Sequence, residues 1–315
     1  MSRVGRNNLG TAPWGVPTTL LVALTLLGSC NKAQKPASEQ VVQKTFASPD
    51  DAGAALVAAA KSGDQNALIA IFGPDSKNVL STGDGVRDQD NLKGFVASYD
   101  QMHRWGNLTA GGKVLYTGAD NFPFPIPLDK NSSGEWSFDM AAGKDEILAR
   151  RIGRGELTAM AACGAAAIAE GQYFNKAKQY AQRFASDEGK QNGLYWPVAE
   201  GQPASPLGPL GDFAKALGYP NAGDKPQLFN GYFYRILTKQ GAAAKSGARD
   251  YIVNGKMTGG FAILAYPVEY RNTGIMTFLI GTDGVIYQKD LGEKTTDEGA
   301  AMAEYNPGEG WGPTV

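Results

Sequence analysis

An α+β body is expected from three features of the 315-residue chain. Helical periodicity with capping signals occupies residues 49–105 and 144–184, and alternating strand patterns separated by turn residues occupy 113–138 and 231–288. A composition of 43% hydrophobic and 19% charged residues supplies enough apolar surface for a core. Thirty basic and 31 acidic side chains leave a net charge of −1, which excludes the polycation that a nucleic-acid surface requires. Gly and Pro, with 41 and 17 residues, exceed average usage and predict many turns and long ordered loops.

The amino terminus carries its own pattern. Arg3 and Arg6 precede an apolar run from Val16 to Leu27, which has the length of a signal peptide and falls short of a membrane-spanning helix. It ends at Leu27-Gly28-Ser29-Cys30, which resembles a bacterial lipobox. The resemblance implies that residues 1–29 are a lipoprotein signal peptide and that Cys30 receives a diacylglycerol group and becomes the mature amino terminus. The body then lies in the periplasm, held at a bacterial membrane by acyl chains. By resemblance to enterobacterial sorting, in which Asp at this position favours inner-membrane retention, Asn31 leans the expected placement toward the outer membrane. An ordinary secretory leader with a chance cysteine is the alternative. Without Arg3 and Arg6 the mature chain has 28 basic and 31 acidic residues, a net of −3, so no polybasic membrane patch remains. Residues 30–45 are polar and read as a flexible tether.

The body is expected from Phe46. Ser48 caps a helix with Pro49 in its first turn, which stops at Gly63; Asp64 caps a second, Asn66 to Phe72, which ends at Gly73-Pro74. A third is expected from Asp90 to Trp105, with Leu92, Phe95, Val96, Tyr99, Met102 and His103 on one apolar stripe. Strands are expected at Lys113 to Thr117 and Pro125 to Asp129. The turn Asn131-Ser132-Ser133-Gly134 then leads into Glu135 to Phe138, where Trp136 and Phe138 share one face. Short helices leading into an antiparallel hairpin make residues 46–155 look like a cystatin-like or nuclear-transport-factor-like unit.

Residues 156–315 form the second expected unit. A helical stretch from Lys144 to about Phe184 carries Ile147, Leu148, Ile152, Leu157, Met160, Ile168, Tyr173, Ala177, Tyr180 and Phe184 as its stripe. Gly153, Gly155, Gly164 and Gly171 weaken it by about 1 kcal/mol each relative to alanine, so a bend or a break at Gly153 to Gly155 is expected. Cys163, amid alanines, reads as a small buried hydrophobe. A loop from Gly189 to Gly211 and a short helix from Asp212 to Leu217 follow. Strands at Gly231 to Leu237, Phe261 to Tyr266, Ile275 to Ile280 and Val285 to Gln288 then form a meander, with Asp283-Gly284 turning the last hairpin. A long helix followed by an antiparallel meander looks like a pilin or pseudopilin head.

Several boxes in one order carry a family resemblance. They are Phe122 to Leu128, Arg150 to Leu157, Gly193-Leu194-Tyr195-Trp196-Pro197, Ser205-Pro206-Leu207-Gly208-Pro209, Gly231 to Leu237, Gly259 to Ala262 and Tyr287 to Gly292. Together they resemble an uncharacterised bacterial family, domain of unknown function 2950, over about Phe46 to Val315. Where that family carries Asn before the Glu of the Arg-rich box, this chain has Gly155. The resemblance implies kinship without an activity.

Two groups of candidate ligand-binding residues stand out. Arg150, Arg151, Arg154 and Glu156, with Asp145 and Glu146, form the densest charge cluster; helical i,i+4 pairing explains it, and an anion site is the other reading. Tyr195, Trp196, Tyr232 and Tyr234 concentrate aromatic surface near the loop and the sheet, as a stacking cleft for glycan or peptide would. Alternation sends Tyr232 and Tyr234 to one face and Phe233 to the other. Catalytic signatures are incomplete: Ser205 lacks a nucleophile elbow, and His103 is the single imidazole and reads as a core residue. No catalytic or metal-ligating residue is assigned, because Cys30, Cys163 and His103 cannot complete a zinc site. Asp187 and Glu188 lack a calcium ligand ladder, and with no phosphate-cradling glycine loop no cofactor is expected. The chain is therefore expected to be a lipid-anchored binding or assembly module, with the membrane and an envelope protein or glycan as partners. An envelope hydrolase with paired carboxylates is the alternative.

Overall fold

A computed structural model describes residues 42–109, 111–198 and 200–314. The expected leader, Cys30 and the tether as far as residue 41 lie outside the described residues. At the start of the described chain the Gln43 side chain donates to the carbonyls of Ile71 and Phe138, at 3.1 and 2.7 Å, and Lys44 N donates to Ala70 O at 2.8 Å. The folded body thus takes in residues ahead of Phe46. The described residues form one compact unit.

The first helices start where their caps dictate. Helix α1 (Pro49–Ser62) has the Ser48 side chain accepting from Asp51 N, and ends on Gly63 in the left-handed region at φ 65°. In α2 (Gln65–Phe72) the Asp64 carboxylate accepts from Asn66 N and Ala67 N. A short α3 (Lys77–Leu80) follows, then α4 (Gly85–Gln101), capped by Asp84. Helix α4 begins ahead of the expected Asp90 because Asp84 satisfies its first turn, and it ends before His103. His103 is therefore not on a helical apolar stripe: it opens strand β1 (His103–Asn107) and is exposed. Its ring stacks on Tyr99 at 3.8 Å, and its Nδ1 donates to Tyr99 O.

Strand β1 pairs antiparallel with β2 (Lys113–Thr117), which also pairs with β3 (Phe122–Pro123) and β4 (Leu128–Lys130). The strand expected from Pro125 to Asp129 begins only at Leu128, since Pro125 and Pro127 have no N–H to place in a ladder. Strands β4 and β5 (Trp136–Phe138) form the expected hairpin, with Leu128 opposite Phe138. The first core is Leu56, Ile71, Phe72, Leu115, Ile126 and Phe138 with their neighbours.

Helix α5 runs unbroken from Met140 to Ala177 and reaches both cores, so the boundary expected between residues 155 and 156 falls inside it. Its four weakening glycines do not divide it, because tertiary packing outweighs intrinsic propensity here. The packed face also differs from the expected stripe. Leu157 and Ile168 are 66% and 67% exposed, and Ala159, Ala162, Cys163, Ala166 and Ala169 are buried instead. The helix lies so close to the chain beneath it that a Cβ on Gly155 would stand 2.4 Å from Thr273 O. Tyr180 and Phe184 lie beyond the helix end.

Helix α6 (Gly208–Leu217) starts earlier than Asp212, with Pro209 in its first turn. Strands β6 (Gln227–Phe229) and β7 (Tyr232–Leu237) follow. Two short ribbons come next: β8 (Lys239–Gln240) with β9 (Arg249–Asp250), and β10 (Ile252–Val253) with β11 (Lys256–Met257). Strands β12 (Ala262–Pro267), β13 (Met276–Gly281) and β14 (Ile286–Asp290), helix α7 (Thr295–Ala301) and β15 (Gly312–Pro313) complete the chain. The main sheet is antiparallel in the order β15-β14-β13-β12-β7-β6. Helices α5 and α7 both pack on it: a Cβ on Gly155 of α5 would stand 3.5 Å from the Tyr232 ring, and one on Gly299 of α7 2.5 Å from the Tyr266 ring.

A buried polar network joins the cores. The fully buried Asp84 accepts from Arg87 N, from Tyr219 OH at 2.7 Å and from Gly231 N at 2.8 Å. Arg87 donates to Asn230 O and Arg151 O, at 3.0 and 3.2 Å. With these partners no member is left as an uncompensated buried charge.

Candidate ligand cavity

The chain between α5 and α6 folds over the sheet and is pinned by its own backbone. Lys178 ends α5 in the left-handed region, Tyr180 N donates to Met257 O, and Ala181 N donates to a Glu170 oxygen at 2.8 Å. Phe184 and Ser186 then bond across to Tyr195, and Leu207 N reaches back to Leu194 O. Helix α6 seats against this loop closely enough that a Cβ on Gly211 would stand 2.2 Å from the Tyr195 ring. Glycine is therefore needed there for the approach.

These elements wall a half-open cavity of about 710 Å³. Ala162 and Ala166 of α5, Tyr234 of β7 and Phe229 of β6 line it from the helix and the sheet. Phe184, Tyr195 and Trp196 come from the loop, and Leu210 and Ala214 from α6. Asp187, Glu188, Lys190 and Lys215 supply its charged groups. The size and the mostly apolar lining are those of a small-molecule site.

Most polar side chains in the lining are already engaged. Tyr195 OH donates to Asp212 at 2.8 Å, and burial first and this bond second push its phenol up to about 12. Tyr219 OH donates to Asp84 and accepts from Asn230 N. Asp187 accepts from Asn192, Lys190 and Arg183, and the bonds from Asn192 and Lys190 hold its carboxyl below the usual range. An acid held ionised in this way is unsuited to donating a proton. Two wall atoms, Trp196 Nε1 and Tyr234 OH, are buried without a hydrogen-bond partner.

The residues singled out from the sequence separate into two places. Tyr195, Trp196 and Tyr234 line the cavity, whereas Tyr232 lies in the core with its hydroxyl on Met276 O at 3.1 Å. Arg150, Arg151, Arg154 and Glu156 are not in the lining. Arg150 pairs with Glu146 at 2.6 Å and donates to Pro123 O; Arg151 donates to Asn272 and to Val79 O. Glu156 accepts from Ile275 N and Met276 N, at 2.9 and 3.0 Å, fastening α5 to the start of β13, while Arg154 is exposed. Sequence reasoning missed Phe184, Leu207, Leu210, Ala214, Tyr219 and Phe229. The signal for three of them was present: Pro209 at the first turn of a helix, with Leu207, Leu210 and Ala214 at helical spacing around it.

Cys163 is buried with a free thiol, pushed up to about 12 by burial. Among the described residues no group of three or more His, Cys, Asp or Glu is placed to hold a metal ion, and no helix is long and apolar enough to cross a membrane.

A family model described as Protein of unknown function (DUF2950) matches residues 43–314. No curated protein and no solved structure matches the chain.

Proposed function

The chain belongs to the DUF2950 family, and we propose that it is a bacterial cell-envelope lipoprotein, anchored at Cys30, whose body is a non-catalytic binding module. The cavity over Tyr234 and Trp196 is the working surface. The observation that carries this reading is the cavity itself: about 710 Å³ with an aromatic and aliphatic lining, in which the Asp187 carboxylate is already committed to three partners. Such a lining favours holding a ligand over splitting one, since a glycosidase needs two carboxyl groups free to act on opposite sides of a bond. The anchor is supported by Arg3 and Arg6, the apolar run and the Leu27-Gly28-Ser29-Cys30 box.

Two measurements test the proposal. Mass spectrometry of the native protein should find an acylated Cys30 at the amino terminus, and Cys30→Ser should move the body into the soluble fraction. An unmodified internal Cys30 overturns the anchor. For binding, the fluorescence of Trp196 should respond to a ligand in the wild type, with Trp196→Phe as the reference that removes this signal. A body in which Trp196 responds to no envelope extract fraction overturns the binding module.

A further inference from the structure

Building on the cavity as the binding surface, we infer that its occupant is an amphiphile whose apolar body lies inside and whose polar end stays at the mouth. The inference follows from what the walls leave unoffered. Ser186 Oγ accepts from Gly193 N, Asn221 bonds Ser186 O and Gly223 N, and Gln227 bonds Pro220 O, Leu228 O and Ala222 N. Tyr195 and Tyr219 are spent on Asp212 and Asp84. Gln191 Nε2, Glu188 and Lys215 keep free polar groups, and all three side chains are exposed; the remaining wall atoms, Trp196 Nε1 and Tyr234 OH, are buried, so an occupant meets neither unless a ring moves.

A sugar carries a hydroxyl on nearly every carbon. Each one that passes beyond the exposed Glu188, Gln191 and Lys215 leaves water for a wall whose polar side chains are already bonded or buried, at about 1–3 kcal/mol per unsatisfied group. An alkyl or aryl body loses nothing by the same transfer and gains about 25 cal/mol for each Å² it buries. The charged groups of the lining are Asp187 and Glu188 against Lys190 and Lys215, so they cancel and select no sign for the polar end. Binding is therefore driven by apolar burial and is only weakly sensitive to salt.

The test titrates the full chain with N-phenyl-1-naphthylamine, a neutral apolar fluorophore. Its emission is expected to rise to saturation, to be reversed by 1-decanol and to be unmoved by chitohexaose. Tenfold more salt should change Kd by less than about twofold. Ala214→Phe fills the cavity from α6 and should raise Kd by at least about tenfold; Leu210→Trp does the same from the neighbouring turn if the first variant does not fold. Transfer of a labelled phosphatidylcholine from vesicles to the wild-type protein but not to the cavity-filling variant identifies a bilayer as the source of the apolar chain, and displacement of the fluorophore by decanol without such transfer identifies a free amphiphile. Either result supports the inference. Saturable chitohexaose binding without fluorophore binding overturns it and leaves the cavity as a binding surface; binding of neither probe overturns both. Fluorophore binding unchanged in a folded cavity-filling variant places the probe elsewhere and overturns the inference.

Discussion

Around Phe72, Phe124 and Phe138 the first core closes ring on ring, with centroids 5.2 to 6.2 Å apart, whereas around Tyr195, Trp196 and Tyr234 the second leaves about 710 Å³ open. Both regions are rich in aromatics, so composition does not distinguish them. The difference lies in the tethers. The phenyl rings of the first core carry no polar handle and settle against one another. In the second, the Tyr195 and Tyr219 hydroxyls are fixed to Asp212 and Asp84, and the loop backbone is bonded to itself, so the rings cannot collapse into the gap. A cavity persists where hydrogen bonds hold its walls apart.

Substitutions can break or sharpen this contrast. The largest effect is expected from Phe138→Ala: the ring is 1% exposed and packed edge-on against Phe72 and Phe124, so its loss should cost about 3–5 kcal/mol in urea unfolding. A cost under about 1 kcal/mol would mean that the first core is no tighter than the second. Next comes Asp84→Ala, which orphans Tyr219 OH and Gly231 N and removes the carboxylate nearest Arg87. A loss of about 3 kcal/mol is expected, together with a shifted Trp196 emission, because Tyr219 belongs to the cavity wall. Unchanged emission would separate the cavity from the junction between the cores.

The third effect is a pH dependence confined to the second region. Burial pushes the Glu170 carboxyl up from 4.5 to about 8, with the Ala181 N–H bond opposing. Between those values the folded protein keeps a proton that the unfolded chain has released, so stability falls as pH rises from 4.5 to about 8 and levels off above. Glu170→Gln should remove a decline of a few kcal/mol, read from urea melts at about pH 5 and 9. Parallel declines in both proteins would show that the carboxyl is not the source. The smallest effects set Tyr232 against Tyr234. Tyr232→Phe forfeits the bond to Met276 O and should cost about 1 kcal/mol, while Tyr234→Phe removes a buried hydroxyl without a partner and should be neutral or stabilising. Equal costs would mean that Tyr234 has a partner in solution.

The amino-acid order alone was enough for features settled within a few residues. Ser48 and Asp64 cap the helices that follow them, Gly63 ends α1, the turn at residues 131–134 makes the hairpin, and alternation puts Tyr232 and Tyr234 on one face. Each is a matter of satisfying nearby backbone groups or of strand geometry, and neighbours in sequence suffice for that. Only the tertiary structure decided which side of α5 is buried, where His103 lies, and that Tyr234 reaches the cavity while Tyr232 does not. Large aliphatics usually mark the buried stripe. Here the approach of α5 to Thr273 selects glycine at position 155, the small Ala159, Ala162, Ala166 and Ala169 are buried along the same helix, and Leu157 and Ile168 are left outside. The distance between a helix and the surface beneath it is set by residues more than a hundred positions away, so periodicity within the helix carries no record of it.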